Sequence, residues 1–232
     1  VTLLFVHGAG CTRAVFREQL TAFPDAIAVD LPGHGAPGSA DSIPAFADAI
    51  AAKLEAEDLR DVVIIGHSMG GAVALELALR KHPRLVAIGV LGCGVRLRVA
   101  PAVLAGLEND FEGAGDAFAG LWFADPDSPL RPWAVSLLRE VGREQTLADL
   151  RACDRFDIGA RIGEVRLPIL ALTGESDRLT PPKYAALLGD RVAGAQVRIV
   201  PGAGHFVMVE QPAVTNAALG SFVSRVSYQE PL

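Results

Sequence analysis

The stretch Val62-Val63-Ile64-Ile65-Gly66-His67-Ser68-Met69-Gly70-Gly71 constrains the fold of this chain more than any other. A β-branched run breaks into Gly-His-Ser-Met-Gly, and an Ala- and Leu-rich helical stretch follows at once. That order reads as strand, sharp turn and helix, with a serine at the apex. Gly66 and Gly70 flank the serine where side chains would collide across so tight a turn. The turn forces Ser68 into a strained backbone conformation and lifts its hydroxyl clear of the sheet. A serine so placed is built to attack a carbonyl carbon, provided the chain also supplies a base, an orienting acid and an oxyanion hole.

Short apolar runs at residues 2–6, 26–30, 62–66, 86–92, 169–173 and 196–200 read as buried parallel strands. Helical patterns fall between or after them, at 12–23, 43–57, 68–82, 181–188 and 211–226. The alternation predicts a mostly parallel sheet of about six strands with helices on both faces. In such sheets the chemistry gathers at the carboxyl ends of the strands. Residues 94–157 break the alternation. They contain no convincing strand, and Pro101, Pro126, Pro129 and Pro132 punctuate them into short helices. This region reads as a small helical cap, 94–157, inserted into a core of residues 1–93 and 158–232. The tail from 227 to 232 is expected to fray.

The net charge of −6 argues against a nucleic-acid surface. No uninterrupted apolar run reaches the roughly 18 residues of a membrane span, so no membrane partner is expected. The first residues have no basic start and no cleavage-site pattern, so no signal peptide is expected. Cys11, Cys93 and Cys153 are odd in number and widely spaced. They make no metal motif or disulfide framework, which fits small buried side chains in a reducing cytoplasm. Cys11 stands apart because it lies beside the His-Gly loop described next.

Five histidines compete to activate the serine. His7, His34 and His67 lie in loops at strand ends, and His82 precedes Pro83. His205 sits in Pro201-Gly202-Ala203-Gly204-His205, after the last strand, where a glycine-rich loop can swing it over the sheet. It is the expected base, and it falls late in the chain as the hydrolase order of serine, acid and histidine requires. The base needs an acid to fix its tautomer. Asp177, in Gly174-Glu175-Ser176-Asp177, follows a strand end and lies between Ser68 and His205 in the chain. Glu175 comes too soon after the strand, and Asp30 reads as a turn residue that satisfies loop amides. For the oxyanion, one donor is expected from the Met69 amide at the start of its helix. The second is expected from the His7-Gly8-Ala9-Gly10 loop, with the Ala9 amide first and Gly10 next.

These stretches together resemble the α/β-hydrolase superfamily: HGAG at 7–10, DLPGHG at 30–35, GHSMGG at 66–71, TGESDRLTPP at 173–182 and PGAGH at 201–205. The resemblance runs from the first strand to the last helix, apart from the cap. It implies the α/β-hydrolase fold, with Ser68 as nucleophile, His205 as base and Asp177 as acid. One departure is the lack of the antiparallel strand pair that commonly precedes the first parallel strand in the family.

The expected activity is that of a carboxylesterase-like serine esterase on a small-molecule ester, through an acyl-enzyme and without a metal or other cofactor. The cap aromatics Phe111, Phe118, Trp122, Phe123 and Trp133 are the expected lining of an apolar substrate pocket. The resemblance leaves carbon–carbon bond hydrolases, lactonases, thioesterases and cofactor-free perhydrolases open, as well as a non-enzymatic small-molecule receptor. A serine at the elbow argues against haloalkane dehalogenase and epoxide hydrolase chemistry, and Ala9 argues against a hydroxynitrile lyase. The assembly is expected to be a monomer or a homodimer.

Overall fold

A computed structural model of the protein describes residues 1–228. Its sheet is built from β1 (Thr2–Val6), β2 (Ile27–Val29), β3 (Val62–His67), β4 (Leu85–Leu91), β5 (Ile169–Gly174) and β6 (Gln196–Val200). The spatial order is β2-β1-β3-β4-β5-β6, and every pairing is parallel. The chain passes from β1 to β2 on one side, then crosses to β3 on the other. The crevice at the carboxyl ends of β1 and β3 is therefore the topological switch point, where ligands bind in open α/β sheets.

Alternate side chains of each strand enter opposite layers, as the two-residue strand period requires. Leu4, Val6, Ile64 and Ile88 join one core, and Leu3, Phe5, Val63 and Ile65 join the other. The first layer is covered by α2 (Ile43–Ala56), α3 (Met69–Leu79) and α8 (Lys183–Arg191). The second is covered by α1 (Arg17–Ala22), the short α9 (Val207–Glu210) and α10 (Pro212–Tyr228). Because α3 is apolar on all sides, it is buried along almost its whole length. Ser42 caps α2, its hydroxyl accepting the Ala45 amide at 3.4 Å.

Between β4 and β5 the chain forms α4 (Pro101–Asn109), α5 (Phe111–Gly120), α6 (Arg131–Val141) and α7 (Arg143–Arg155). Pro101 and Pro132 fall in the first turns of α4 and α6, where a proline ring fits. The Asp110 side chain caps α5 by accepting the Gly113 amide at 3.0 Å.

Small differences from the expected boundaries have local causes. Residues 12–23 divide into a 3₁₀ turn, Arg13–Phe16, and α1, because Phe16 leaves the helical region. Helix α8 begins only at Lys183, after the Pro181-Pro182 pair. Ser227 and Tyr228 continue α10, where fraying was expected, and the Ser227 hydroxyl donates to the Val223 carbonyl. Residues 229–232 of that tail lie outside the described residues. No helix among the described residues is long and apolar enough to cross a membrane.

Candidate active site

The turn after β3 holds Ser68 at φ 50°, ψ −113°, a region that non-glycine residues rarely enter. Such a conformation costs roughly 1–3 kcal/mol and persists only where the surroundings impose it. The Ser68 amide donates to the Leu91 carbonyl at 2.8 Å, which locks the turn to β4. A Cβ on Gly66 would lie 2.1 Å from the Gly70 carbonyl oxygen, and one on Gly70 would lie 2.1 Å from that of Val6. Only glycine admits so close a crossing of β3, α3 and the end of β1.

The β5 and β6 loops bring His205 and Asp177 together. Both are buried, and His205 Nδ1 lies 2.9 Å from Asp177 Oδ2. The carboxylate claims the Nδ1 proton, which leaves Nε2 as the basic nitrogen. Asp177 is itself anchored. Its Oδ1 accepts the Leu179 and Thr180 amides at 2.9 and 2.8 Å, and its Oδ2 accepts the Thr180 hydroxyl at 2.7 Å. Burial pushes the Asp177 carboxyl up. The His205 charge and these hydrogen bonds outweigh burial and hold it below its ordinary range. Glu175, the rejected alternative, is exposed.

Ser68 and His205 line one cavity of about 250 Å³. Among the described residues, no hydrogen bond joins the serine hydroxyl to the imidazole. Ala9 also lines this cavity. Met69 is buried and opens α3, so its amide has no partner within the helix. Gly10 departs from expectation: its amide donates to Asp149 Oδ2 at 2.9 Å and does not face the cavity. That bond engages the Gly10 N–H and leaves the Ala9 and Met69 amides as the candidate donors.

Of the five aromatics expected in the pocket, Phe118 and Trp122 line it. Phe118 lies in the last turn of α5 and Trp122 in the turn that follows the helix, with their rings edge-on at 5.5 Å. Phe123, one residue further on, faces another way and packs edge-on against Phe206 at 5.6 Å. Trp133 lies 6.3 Å from Phe206 and borders a separate surface depression with Thr12 and Arg13. Phe111 is half-buried at the start of α5. The remaining apolar wall comes from aliphatic side chains that the sequence did not single out, including Val99, Val103, Leu121 and Leu150.

Three further groups have roles that the sequence reading did not assign. Thr180 lies within the quoted TGESDRLTPP stretch, three residues after Asp177, and its hydroxyl is also 3.2 Å from His205 Nδ1. His67 Nε2–H donates to the His205 carbonyl at 3.0 Å. Burial, and next to it the charge of His205, pushes His67 well below its ordinary value, so it stays neutral and supports the loop that carries His205. Glu210 accepts the Ala124 and Gly204 amides, each at 2.7 Å, and so fastens the loop before His205 to the connection between α5 and α6. Cys11 and Cys153 also face the cavity, but burial raises both thiols well above their ordinary value and keeps them protonated. Asp30 accepts the Arg13 amide at 2.7 Å, in keeping with a turn residue.

The chain is similar to known proteins along nearly its whole length. A profile described as the alpha/beta hydrolase family matches residues 3–218. The pimeloyl-acyl-carrier-protein methyl ester esterase of Aromatoleum aromaticum is 30% identical over 90% of this chain and 93% of its own length. A thermophilic esterase of known structure has a TM-score of 0.89 and 32% identity, covering 97% of this chain and 90% of that one. Est816, described as an N-acyl homoserine lactone degrading enzyme, has a TM-score of 0.84 and 26% identity, covering 96% of this chain and 93% of that one. Sheet order, the strained turn and the extent of these matches lead to one assignment: the chain belongs to the alpha/beta hydrolase family.

Proposed function

We propose that this protein is a serine esterase that cleaves small carboxylic esters through an acyl-enzyme. The observation that carries the reading is the buried His205–Asp177 pair at 2.9 Å, with His205 facing the same cavity as the strained Ser68. In the first half-reaction, the Ser68 hydroxyl attacks the ester carbonyl while His205 Nε2 takes its proton. The Ala9 and Met69 amides hold the oxyanion. The imidazolium, stabilised by Asp177, then protonates the departing alcohol. In the second half, His205 activates a water that releases the acid and frees Ser68.

The helices of residues 94–157 act in this reading as a cap that encloses the acyl group. A cavity of about 250 Å³ walled by Val103, Leu121 and Leu150 suits short or medium apolar acyl chains. Three free, buried cysteines support placement in a reducing cytoplasm. Likeness to Est816 supports a second reading, in which the same attack opens a lactone ring.

The test is turnover of p-nitrophenyl esters from acetate to long-chain acyl by the wild type and Ser68→Ala. Fast short-chain hydrolysis lost in the variant is expected. No turnover above the variant background would sink the general esterase reading and move attention to lactones. Saturable ligand binding that persists in Ser68→Ala, without turnover in the wild type, would identify a receptor instead.

A further inference from the structure

Behind the proposed oxyanion loop lies a second buried acid–histidine pair that the mechanism above does not use. The Asp149 and His34 side chains are fully buried, and Asp149 Oδ2 lies 2.7 Å from His34 Nε2. His34 Nδ1–H donates to the Pro32 carbonyl at 3.0 Å. Gln145 Nε2 donates to Asp149 Oδ1 at 2.8 Å and to the Ala40 carbonyl at 3.0 Å. The carboxylate of Asp149, on α7, therefore has partners on both oxygens and ties the helical insertion to the loops after β1 and β2. Its remaining hydrogen bond is the one from the Gly10 amide.

That bond sits beside the expected oxyanion donor. The Ala9–Gly10 peptide plane is held by Asp149 through its N–H. The Gly8–Ala9 plane is held through its carbonyl, which accepts His7 Nδ1–H at 2.9 Å. In a trans peptide the N–H points opposite to the carbonyl, so fixing the Gly8 oxygen also fixes the direction of the Ala9 N–H. His7 cannot turn away, because its Nε2 accepts the Leu31 amide at 3.0 Å. Gly10 is also wedged under α6: a Cβ there would lie 2.5 Å from Leu138 Cδ2. Both peptide planes that flank Ala9 are thus clamped, one from the core and one from the insertion.

We infer that Asp149, backed by His34, is a positioning residue: by holding the Gly10 N–H it fixes Ala9 from the side that the His7–Gly8 bond leaves free, so the Ala9 amide stays preorganised as the second oxyanion donor and seating of α7 is required for full reactivity of Ser68. This rests on the reading of Ser68 as nucleophile. Oxyanion stabilisation depends on donors fixed before charge develops, and a loop free to rotate loses that advantage. The carboxylate does not reach the cavity, so it acts only through Gly10.

The test compares wild type, Asp149→Ala and Asp149→Asn after circular dichroism establishes that each is folded. The readouts are the rate of Ser68 labelling by a fluorophosphonate and steady-state hydrolysis of a p-nitrophenyl ester. Asp149→Ala is expected to slow labelling and kcat by roughly 10- to 100-fold, below the loss from deleting a donor outright, while KM moves less than about threefold. Asn keeps an acceptor for the Gly10 amide and is expected to recover most of that loss. A folded Asp149→Ala protein labelled as fast as wild type overturns the proposal and leaves the nucleophile standing. Wild type that is not labelled at Ser68 overturns both. Amide exchange in the wild type needs no variant: slow exchange at Gly10 is expected, and exchange at the rate of an open loop overturns the clamp.

Discussion

Thr180 presents one hydroxyl to both members of the buried pair, 2.7 Å from Asp177 Oδ2 and 3.2 Å from His205 Nδ1. Valine has nearly the same shape without the hydroxyl. Thr180→Val is therefore expected to lower kcat/KM roughly 10- to 150-fold, the size of one hydrogen bond to a charged group, and Thr180→Ser to restore it. Steady-state kinetics check both. Asp177 carries a pH signature as well. Its folded carboxyl titrates below the ordinary range, so its contribution to stability is present above the unfolded value of about 3.9 and is lost as pH falls through the folded value. Asp177→Asn is expected to flatten the acid limb of stability against pH, measured by urea unfolding. At this scale much of the site was legible. Ser68, Asp177 and His205 each stand at a strand end in a loop whose composition declares its geometry. The Gly10 amide did not, because its acceptor lies 139 residues away in α7.

Among the elements, the segment after β6 and the connection between α5 and α6 meet at Glu210. Its two oxygens accept the amides of Ala124 and Gly204, and Gly204 precedes His205. Glu210→Ala leaves both amides without that acceptor, and is expected to cost about 1–3 kcal/mol in stability and to lower kcat as the loop that carries His205 loosens. Thermal unfolding and kinetics on the same sample check this. Strand positions were readable because buried parallel strands are continuous apolar runs, as in Val62–His67, where every residue is buried. The orientation of the insertion helices was less so. Phe118, Trp122 and Phe123 are alike in composition, and both Trp122 and Phe123 pack on Phe206, yet the turn after α5 leaves Phe118 and Trp122 on the cavity and Phe123 off it.

For the molecule as a whole, the proposed reaction takes its reacting groups from loops at the ends of the sheet, and the helices between β4 and β5 supply much of the apolar wall of the cavity. Val103, on α4, faces the cavity at half burial. Val103→Phe is expected to reduce kcat/KM for hexanoate by about tenfold and for acetate by less than about threefold, since each excluded methylene forfeits about 0.8 kcal/mol. An ester series on the variant would reveal the change in slope. The same division explains what the sequence could convey. Five loop motifs report a site built locally at strand ends, whereas the shape of the cavity depends on how four helices settle over them. The central claim is that Ser68 becomes acylated. Its most direct test is intact-mass and peptide-mapping spectrometry of protein quenched during turnover of p-nitrophenyl butyrate. A butyryl adduct on Ser68 that decays as substrate is exhausted is the expected result. Turnover that persists in Ser68→Ala, with no adduct on Ser68 in the wild type, would contradict it.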